Sequence, residues 1–160
     1  MKSKLKITSI YCFLITFLCS CYSFTGASIS GKTINVRPFE NKAYNVVPTL
    51  ATALNNKVRN KIISQTGLAP VNNDEADYDM QANITGYNVS ISGVENSAVA
   101  STNRLTITLE VNFTNRIDSK QNFKQSFSRF ADFGANEPLQ VAETRLIDDI
   151  GAQLAEDIFN

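Results

Sequence analysis

Asn103-Arg-Leu-Thr-Ile-Thr-Leu-Glu-Val-Asn-Phe113 alternates without a break. Leu105, Ile107, Leu109, Val111 and Phe113 fall on one side, and Thr106, Thr108, Glu110, Asn112 and then Thr114 on the other. Period two at this length is a β-strand with one face in a core and one face outside it. Asn115 to Gln121 turns the chain, and Phe123 to Phe133 is the returning strand. With the turn centred on Asp118, Phe113 lies opposite Phe123, Leu109 opposite Phe127 and Leu105 opposite Ala131. Aromatic and aliphatic residues then share one face, whereas a one-residue slip would put Phe123 and Phe127 in water. The same register leaves Arg129 facing in and Phe130 facing out. A bulge near Ser128 that reverses both is expected.

Working towards the N-terminus, Gly93 to Asn103 reads as a loop of small residues. Before it, Tyr78, Met80, Ala82 and Ile84 alternate inward, and then Tyr87, Val89 and Ile91 carry the pattern with the phase reversed. A strand keeps its face only by period two, so the change of phase requires an extra residue, and Gly86 marks the expected β-bulge. Thr33 to Phe39 also alternates, with Ile34 and Val36 on one side, and Pro38 ends its pairing or puts it at an edge. Val46 to Gln65 reads as a helix. Pro48 suits its first turn, Val47, Leu50, Ala51, Leu54, Val58 and Ile62 make one apolar stripe, and Gly67 is placed to end it.

Beyond the hairpin, Asn136 is expected to cap a last helix with Glu137 and Pro138 in its first turn. Leu139, Ala142, Leu146, Ile150, Leu154 and Ile158 give its stripe, and Gly151 suits a close approach of the two helices. The order is β-α-β-β-β-α. Single apolar stripes and single apolar strand faces imply an α+β two-layer sandwich, with a four-stranded mixed sheet and two helices on one face. Its first crossover should be right-handed.

The N-terminus is an address. Lys2, Lys4 and Lys6 precede an apolar run from Ile7 to Leu18, and Leu18-Cys19-Ser20-Cys21 follows. A basic segment, a short apolar segment and small residues make a secretory signal, and the run falls short of the roughly 20 residues of a membrane span. The four residues resemble a bacterial lipobox, with Cys19 departing from the usual small residue at the second position. The expected division is residues 1–20 as a removed lipoprotein signal peptide, 21–31 as a lipidated tether rich in Ser, Thr and Gly, and 32–160 as one domain. Cys12 and Cys19 leave with the signal peptide, so no disulfide or thiol catalyst remains. No cofactor is expected beyond covalent diacylglycerol and N-acyl lipid on Cys21. Such an anchor is permanent, because more than one chain holds it. No acidic run follows Cys21, which favours the periplasmic face of the outer membrane.

The zero formal charge includes the three signal-peptide lysines; without them twelve basic residues face fifteen acidic ones, about −3. That balance disfavours nucleic acid. The sequence has no histidine, which removes Ser-His-Asp and Cys-His chemistry and the commonest zinc ligand. Asn72 to Asp77 is acidic but has no register matching a calcium loop. The sequons at Asn83, Asn88 and Asn112 are ordinary strand residues behind a bacterial signal. A binding or structural role fits better than an enzyme, although carboxylate or lysine chemistry is not excluded.

Four stretches carry a resemblance: Cys-Tyr-Ser-Phe-Thr-Gly-Ala-Ser-Ile (21–29), Val-Arg-Pro-Phe-Glu-Asn (36–41), Asn-Arg-Leu-Thr-Ile-Thr (103–108) and Gln-Ser-Phe-Ser-Arg-Phe-Ala-Asp-Phe (125–133). In this order after a lipobox they look like a short branch of the lipopolysaccharide-assembly lipoproteins, the LptE family. The resemblance implies a sheet with two helices on one face. It implies a lipoprotein that plugs the LptD outer-membrane β-barrel, assists that barrel's assembly and binds lipopolysaccharide. No lipopolysaccharide-binding position of the family transfers residue by residue. From the residues alone, Arg104 and Lys124 point to the outer face and Lys120 to the hairpin tip beside Arg116, making Arg104, Lys120 and Lys124 the candidate contacts to lipopolysaccharide phosphates. The alternative for these cations is plain solubility, with Arg104 opposite Asp132. The alternative for the protein is a freestanding periplasmic ligand-binding lipoprotein or a small carboxylate-dependent envelope enzyme.

Overall fold

The computed structural model describes residues 29–45, 47–94 and 100–160. The expected signal peptide, Cys21 and nearly all of the expected tether therefore lie outside the described residues. The elements are β1 (Thr33–Val36), β2 (Glu40–Asn41), α1 (Leu50–Thr66), β3 (Ala69–Pro70), β4 (Tyr78–Val94), β5 (Ala100–Asn115), β6 (Phe123–Gly134) and α2 (Leu139–Phe159).

The fold is α+β with two helices and a mixed sheet. The sheet has six strands rather than the expected four, in the order β3-β1-β4-β5-β6 with β2 also on β4. Both additions are two-residue strands. Pro38 explains β2: it interrupts the first strand, and pairing to β4 resumes at Glu40 opposite Asn83, one residue out of step with Val36 opposite Met80. After α1, β3 adds a short parallel edge, with Thr33 opposite Ala69.

The β5–β6 hairpin has the register read from its side chains: Phe113 opposite Phe123, Leu109 opposite Phe127 and Leu105 opposite Ala131. The expected bulge near Ser128 is absent, and the ladder runs unbroken from Phe113–Phe123 to Thr102–Gly134. Arg129 stays on the core face because Asp157 of α2 meets its guanidinium there. Phe130 stays on the outer face because the Arg104 guanidinium covers its ring, 3.6 Å from the centroid. Both side chains have partners, so nothing forces the strand to buckle.

Between β4 and β5 the ladder shifts between Ile84 and Gly86, so the extra residue is Thr85, beside the expected glycine. The loop placed at Gly93–Asn103 is shorter than expected, since β4 continues to Val94 and β5 begins at Ala100. Main-chain pairing continues there although the side chains no longer alternate.

Helix ends differ from the sequence reading at the N-terminal side. α1 begins at Leu50, after Pro48, and α2 begins at Leu139, after Pro138; neither has a side-chain cap. Asn136 lies in the preceding turn, and the Pro138 carbonyl accepts the N–H groups of Val141 and Ala142. Gly67 ends α1 in the left-handed region at φ 67°, its N–H bonded to the Ile63 carbonyl. Most of each apolar stripe is buried: Leu50, Leu54, Val58 and Ile62 on α1, and Ala142, Leu146, Ile150, Leu154 and Ile158 on α2; Ala51 and Leu139 are half-buried, and Val47, also half-buried, precedes α1. They join Leu105, Ile107, Leu109 and Val111 in one hydrophobic core. At Gly151 a Cβ would lie 3.1 Å from Leu54 Cδ2, so the two helices meet there across a missing side chain.

Candidate functional site

The sheet presents its polar positions on the face away from the core. Across β4, β5 and β6 they run in rows: Gln81, Asn112 and Lys124; Asn83, Glu110 and Ser126; Gly86, Thr108 and Ser128; Ser90, Arg104 and Asp132. The side chains are linked locally. Thr108 Oγ1 and Ser128 Oγ are 3.1 Å apart, and Lys124 Nζ meets Glu110 Oε1 at 3.1 Å. At the β1 edge the buried Asn35 donates to Asp79, as does Arg37, which also reaches Asp74. Such a face is hydrophilic apart from Phe130, which stays half exposed with the Arg104 guanidinium on its ring.

The three candidate lipopolysaccharide contacts are not brought together. Arg104 is held bidentate by Asp132, Nε to Oδ1 at 2.8 Å and Nη2 to Oδ2 at 2.9 Å. That hydrogen-bonded pair raises the pKa of Arg104 and lowers that of Asp132. Lys124 lies opposite Asn112, eight residues along β5 from Arg104, a separation of about 26 Å at the usual strand rise. Lys120 sits in the 3₁₀ turn Ser119–Gln121 and has no ion-pair partner among the described residues. That turn is built by the buried Asn115, whose Oδ1 accepts the N–H groups of Ile117 and Asp118, and by Asp118, which accepts from Lys120. Arg104 and Lys120 therefore mark opposite ends of the sheet.

Other titratable groups are structural. Burial, then its bond to Glu143, pushes the Tyr87 hydroxyl above its ordinary pKa; the O–O distance is 2.5 Å. Asp77 is lowered first by the Lys32 N–H and then by the N–H and hydroxyl of Thr33, and it ties the start of β1 to β4. Among the described residues no group of His, Cys, Asp and Glu could hold a metal, and no helix is long and apolar enough to cross a membrane.

One feature escaped the sequence reading. Tyr78, Phe113 and Phe123 read as ordinary core residues by alternation. Their rings stack in a row, with centroids 5.8 and 5.3 Å apart, and border an apolar cavity at the C-terminal ends of both helices. Alternation reports the face a residue occupies and carries no signal for how completely the opposing helices cover it.

Residues 31–160 match the family model for LptE, described as lipopolysaccharide-assembly. No curated protein matches the sequence. Similar solved structures include a minor lipoprotein from Acinetobacter baumannii, at 11% identity and TM-score 0.53, covering 82% of this chain and 91% of that one. A Xanthomonas campestris protein is 12% identical with TM-score 0.57, covering 86% of each chain. Lipoprotein B from Nitrosomonas europaea is 11% identical with TM-score 0.56, covering 82% of this chain and 81% of that one. At these identities the likeness is one of fold. The family match spans nearly the whole described domain, and the chain belongs to the LptE family of lipopolysaccharide-assembly proteins.

Proposed function

We propose that this protein is a non-enzymatic outer-membrane lipoprotein that plugs an LptD-type β-barrel, assists its assembly and takes part in moving lipopolysaccharide to the outer leaflet. Lipid on Cys21 anchors it to the periplasmic face. The observation that carries the reading is the polar face of the sheet. Thr106, Thr108, Glu110 and Asn112 line its centre, with Ser126 and Ser128 alongside. A barrel that conducts a large polar ligand has a hydrophilic interior, and a surface of hydroxyls and amides suits it. A lipid-inserting surface would be apolar.

Lipopolysaccharide phosphates would be met by Lys120 and Lys124 at the hairpin tip, with Arg104 as a separate contact at the far end. Lys124 has to exchange Glu110 for phosphate. Arg104, already bidentate to Asp132 and stacked on Phe130, is the weakest of the three.

The test is mild detergent extraction of the full-length protein. A stable one-to-one complex with a large β-barrel is the expected product; extraction alone would identify a freestanding binder instead. Cys21→Ser should leave an uncut, unlipidated precursor, whereas Cys12→Ser and Cys19→Ser should mature normally. Changing Arg104, Lys120 and Lys124 together to Gln should weaken lipopolysaccharide binding severalfold and reduce its salt dependence while the barrel complex survives. Loss of the complex itself would assign those charges to the barrel wall.

A further inference from the structure

The core is not closed evenly at its two ends. Where α1 and α2 both run out, a cavity of about 600 Å³ opens between the helix ends and the sheet. Tyr78, Phe113 and Phe123 border it from three adjacent strands, and Ile62, Leu68 and Met80 continue the apolar lining. Its polar lining is confined to Gln65, Thr66, Gln121 and Asn160, and no charged side chain lines it. An open-mouthed cavity of this size lies within the range of ligand pockets. Both helices bring their C-terminal ends to it, and carbonyl ends carry partial negative charge. The interior therefore suits a hydrocarbon chain and disfavours an anion.

Outside, the charge has the opposite sign. Of the twelve lysines and arginines among the described residues, eight are in ion pairs, which leaves Lys32, Arg59, Arg116 and Lys120. Three of these four are at the cavity end by their backbone contacts. Lys32 follows Gly31, whose N–H donates to the Tyr78 hydroxyl at 2.9 Å. The Arg116 N–H donates to the Asp77 carbonyl, and Lys120 precedes Gln121. Asp77 and Asp118 share that end: Asp77 accepts the main-chain N–H groups of Lys32 and Thr33, and Asp118 the Lys120 N–H and the Gln121 amide, so three cations face two carboxylates. An apolar interior beside unpaired cations complements an anionic lipid, with hydrocarbon inside and phosphate at the rim.

We propose that this cavity takes one acyl chain of lipopolysaccharide, whose phosphates are held at the rim by Lys32, Arg116 and Lys120. The identity of the lipid rests on the lipopolysaccharide reading above; the cavity and its rim do not. An acyl chain inserted here would be withdrawn from neighbouring lipids, and Lys120 would act at the mouth of a pocket instead of on an open surface.

The test is photocrosslinking in cells that express the full chain with p-benzoylphenylalanine at Phe123, at Ile29, at Lys120 or, as a polar-face control, at Thr108. Ile29 is 44% exposed at the cavity, so this probe tolerates substitution if the Phe123 probe fails to fold. The expected result is a lipopolysaccharide adduct at Phe123, Ile29 and Lys120 and no lipid adduct at Thr108. Ile29→Trp, which fills the mouth, should cut the Phe123 adduct at least fivefold while sparing the Lys120 adduct, and Ile29→Val should change neither. Changing Lys32, Arg116 and Lys120 together to Gln should cut the Phe123 adduct severalfold. An adduct at Lys120 but at neither cavity position would overturn the acyl pocket and leave the lipopolysaccharide reading standing. A phospholipid adduct, or a crosslink to residues 21–28 of the same chain, would show another occupant and overturn the proposal. No lipopolysaccharide adduct at any position would overturn both.

Discussion

The two halves of β4 carry the same kind of pattern and meet different fates. Before the shift at Thr85, Met80, Ala82 and Ile84 alternate inward and are buried. After it, Tyr87, Val89 and Ile91 keep the core face; Tyr87 is buried, but Val89 is 47% and Ile91 65% exposed. Val89 is even paired with the fully buried Leu105. The first half lies among the buried residues of the helices, and the second half runs on beyond them. Alternation selects the side of a sheet, and only a helix packed on that side turns the selection into burial.

The sharpest way to break the comparison is to put one charge in each half. Ile84→Asp should cost on the order of 4 kcal/mol or more and abolish folding, as should Leu109→Asp, whereas Ile91→Asp should stay within about 0.5 kcal/mol in urea denaturation. Equal losses at Ile84 and Ile91 would mean that the far half is covered after all. Next in size is the helix contact that closes the covered half. Gly151→Leu drives a side chain into Leu54 and should cost roughly 1–3 kcal/mol in the same measurement. Stability in urea equal to the parent would place the helices further apart than 3.1 Å from a Cβ to Leu54 allows.

Smaller effects separate the ion pairs on the two faces. Double-mutant cycles on Arg129–Asp157 and Arg104–Asp132 should both give weak coupling that fades with salt. At high salt Arg104→Ala should still cost more than Asp132→Ala, because stacking on Phe130 remains when salt screens the carboxylate. Asp77 supplies a pH signature at the start of the covered half. Its folded pKa lies below the ordinary value, so its contribution is complete above the unfolded carboxylate pKa of about 3.9 and disappears as pH falls through the folded value. Asp77→Asn should flatten that acid limb of the stability profile, and an unchanged limb would assign acid sensitivity to Asp132, Glu156 and Asp157. The smallest change is expected from Val89→Ser and Ile91→Ser, within about 0.5 kcal/mol each by urea denaturation.

How legible the candidate site was follows from which residues carry it. The polar face could be read directly, since Thr106, Thr108, Glu110 and Asn112 sit at strict period two. The opposition of Arg104 and Asp132 followed from the hairpin register and holds. Their dispersal from Lys120 also follows from strand rise, but the weight of each cation could not be judged before its partner was known. Lys124 is opposed by Glu110 from the neighbouring strand, and Arg129 by a helix residue far along the chain. The expected bulge at Ser128 failed for that reason: a charged residue at an inward position looked unsatisfied until Asp157 was placed beside it. The two extra strands escaped because two residues have no readable period.

By itself the sequence determined the faces of β4 and β5 and of β6 as far as Phe127, the hairpin register, the phase change at the bulge, the apolar stripes of both helices and the end of α1 at Gly67. Those features depend on local sterics and on a repeat set by the backbone, so neighbouring residues encode them. Tertiary structure decided the rest: where β4 stops being covered, which cations keep a free charge, where Pro38 lets the first strand rejoin β4, and how much space remains among Tyr78, Phe113 and the helix ends. Each is a relation between elements distant in the chain. Burial, ion pairing and cavity volume are set by how elements dock, and no single stretch of sequence contains both partners of a docked surface.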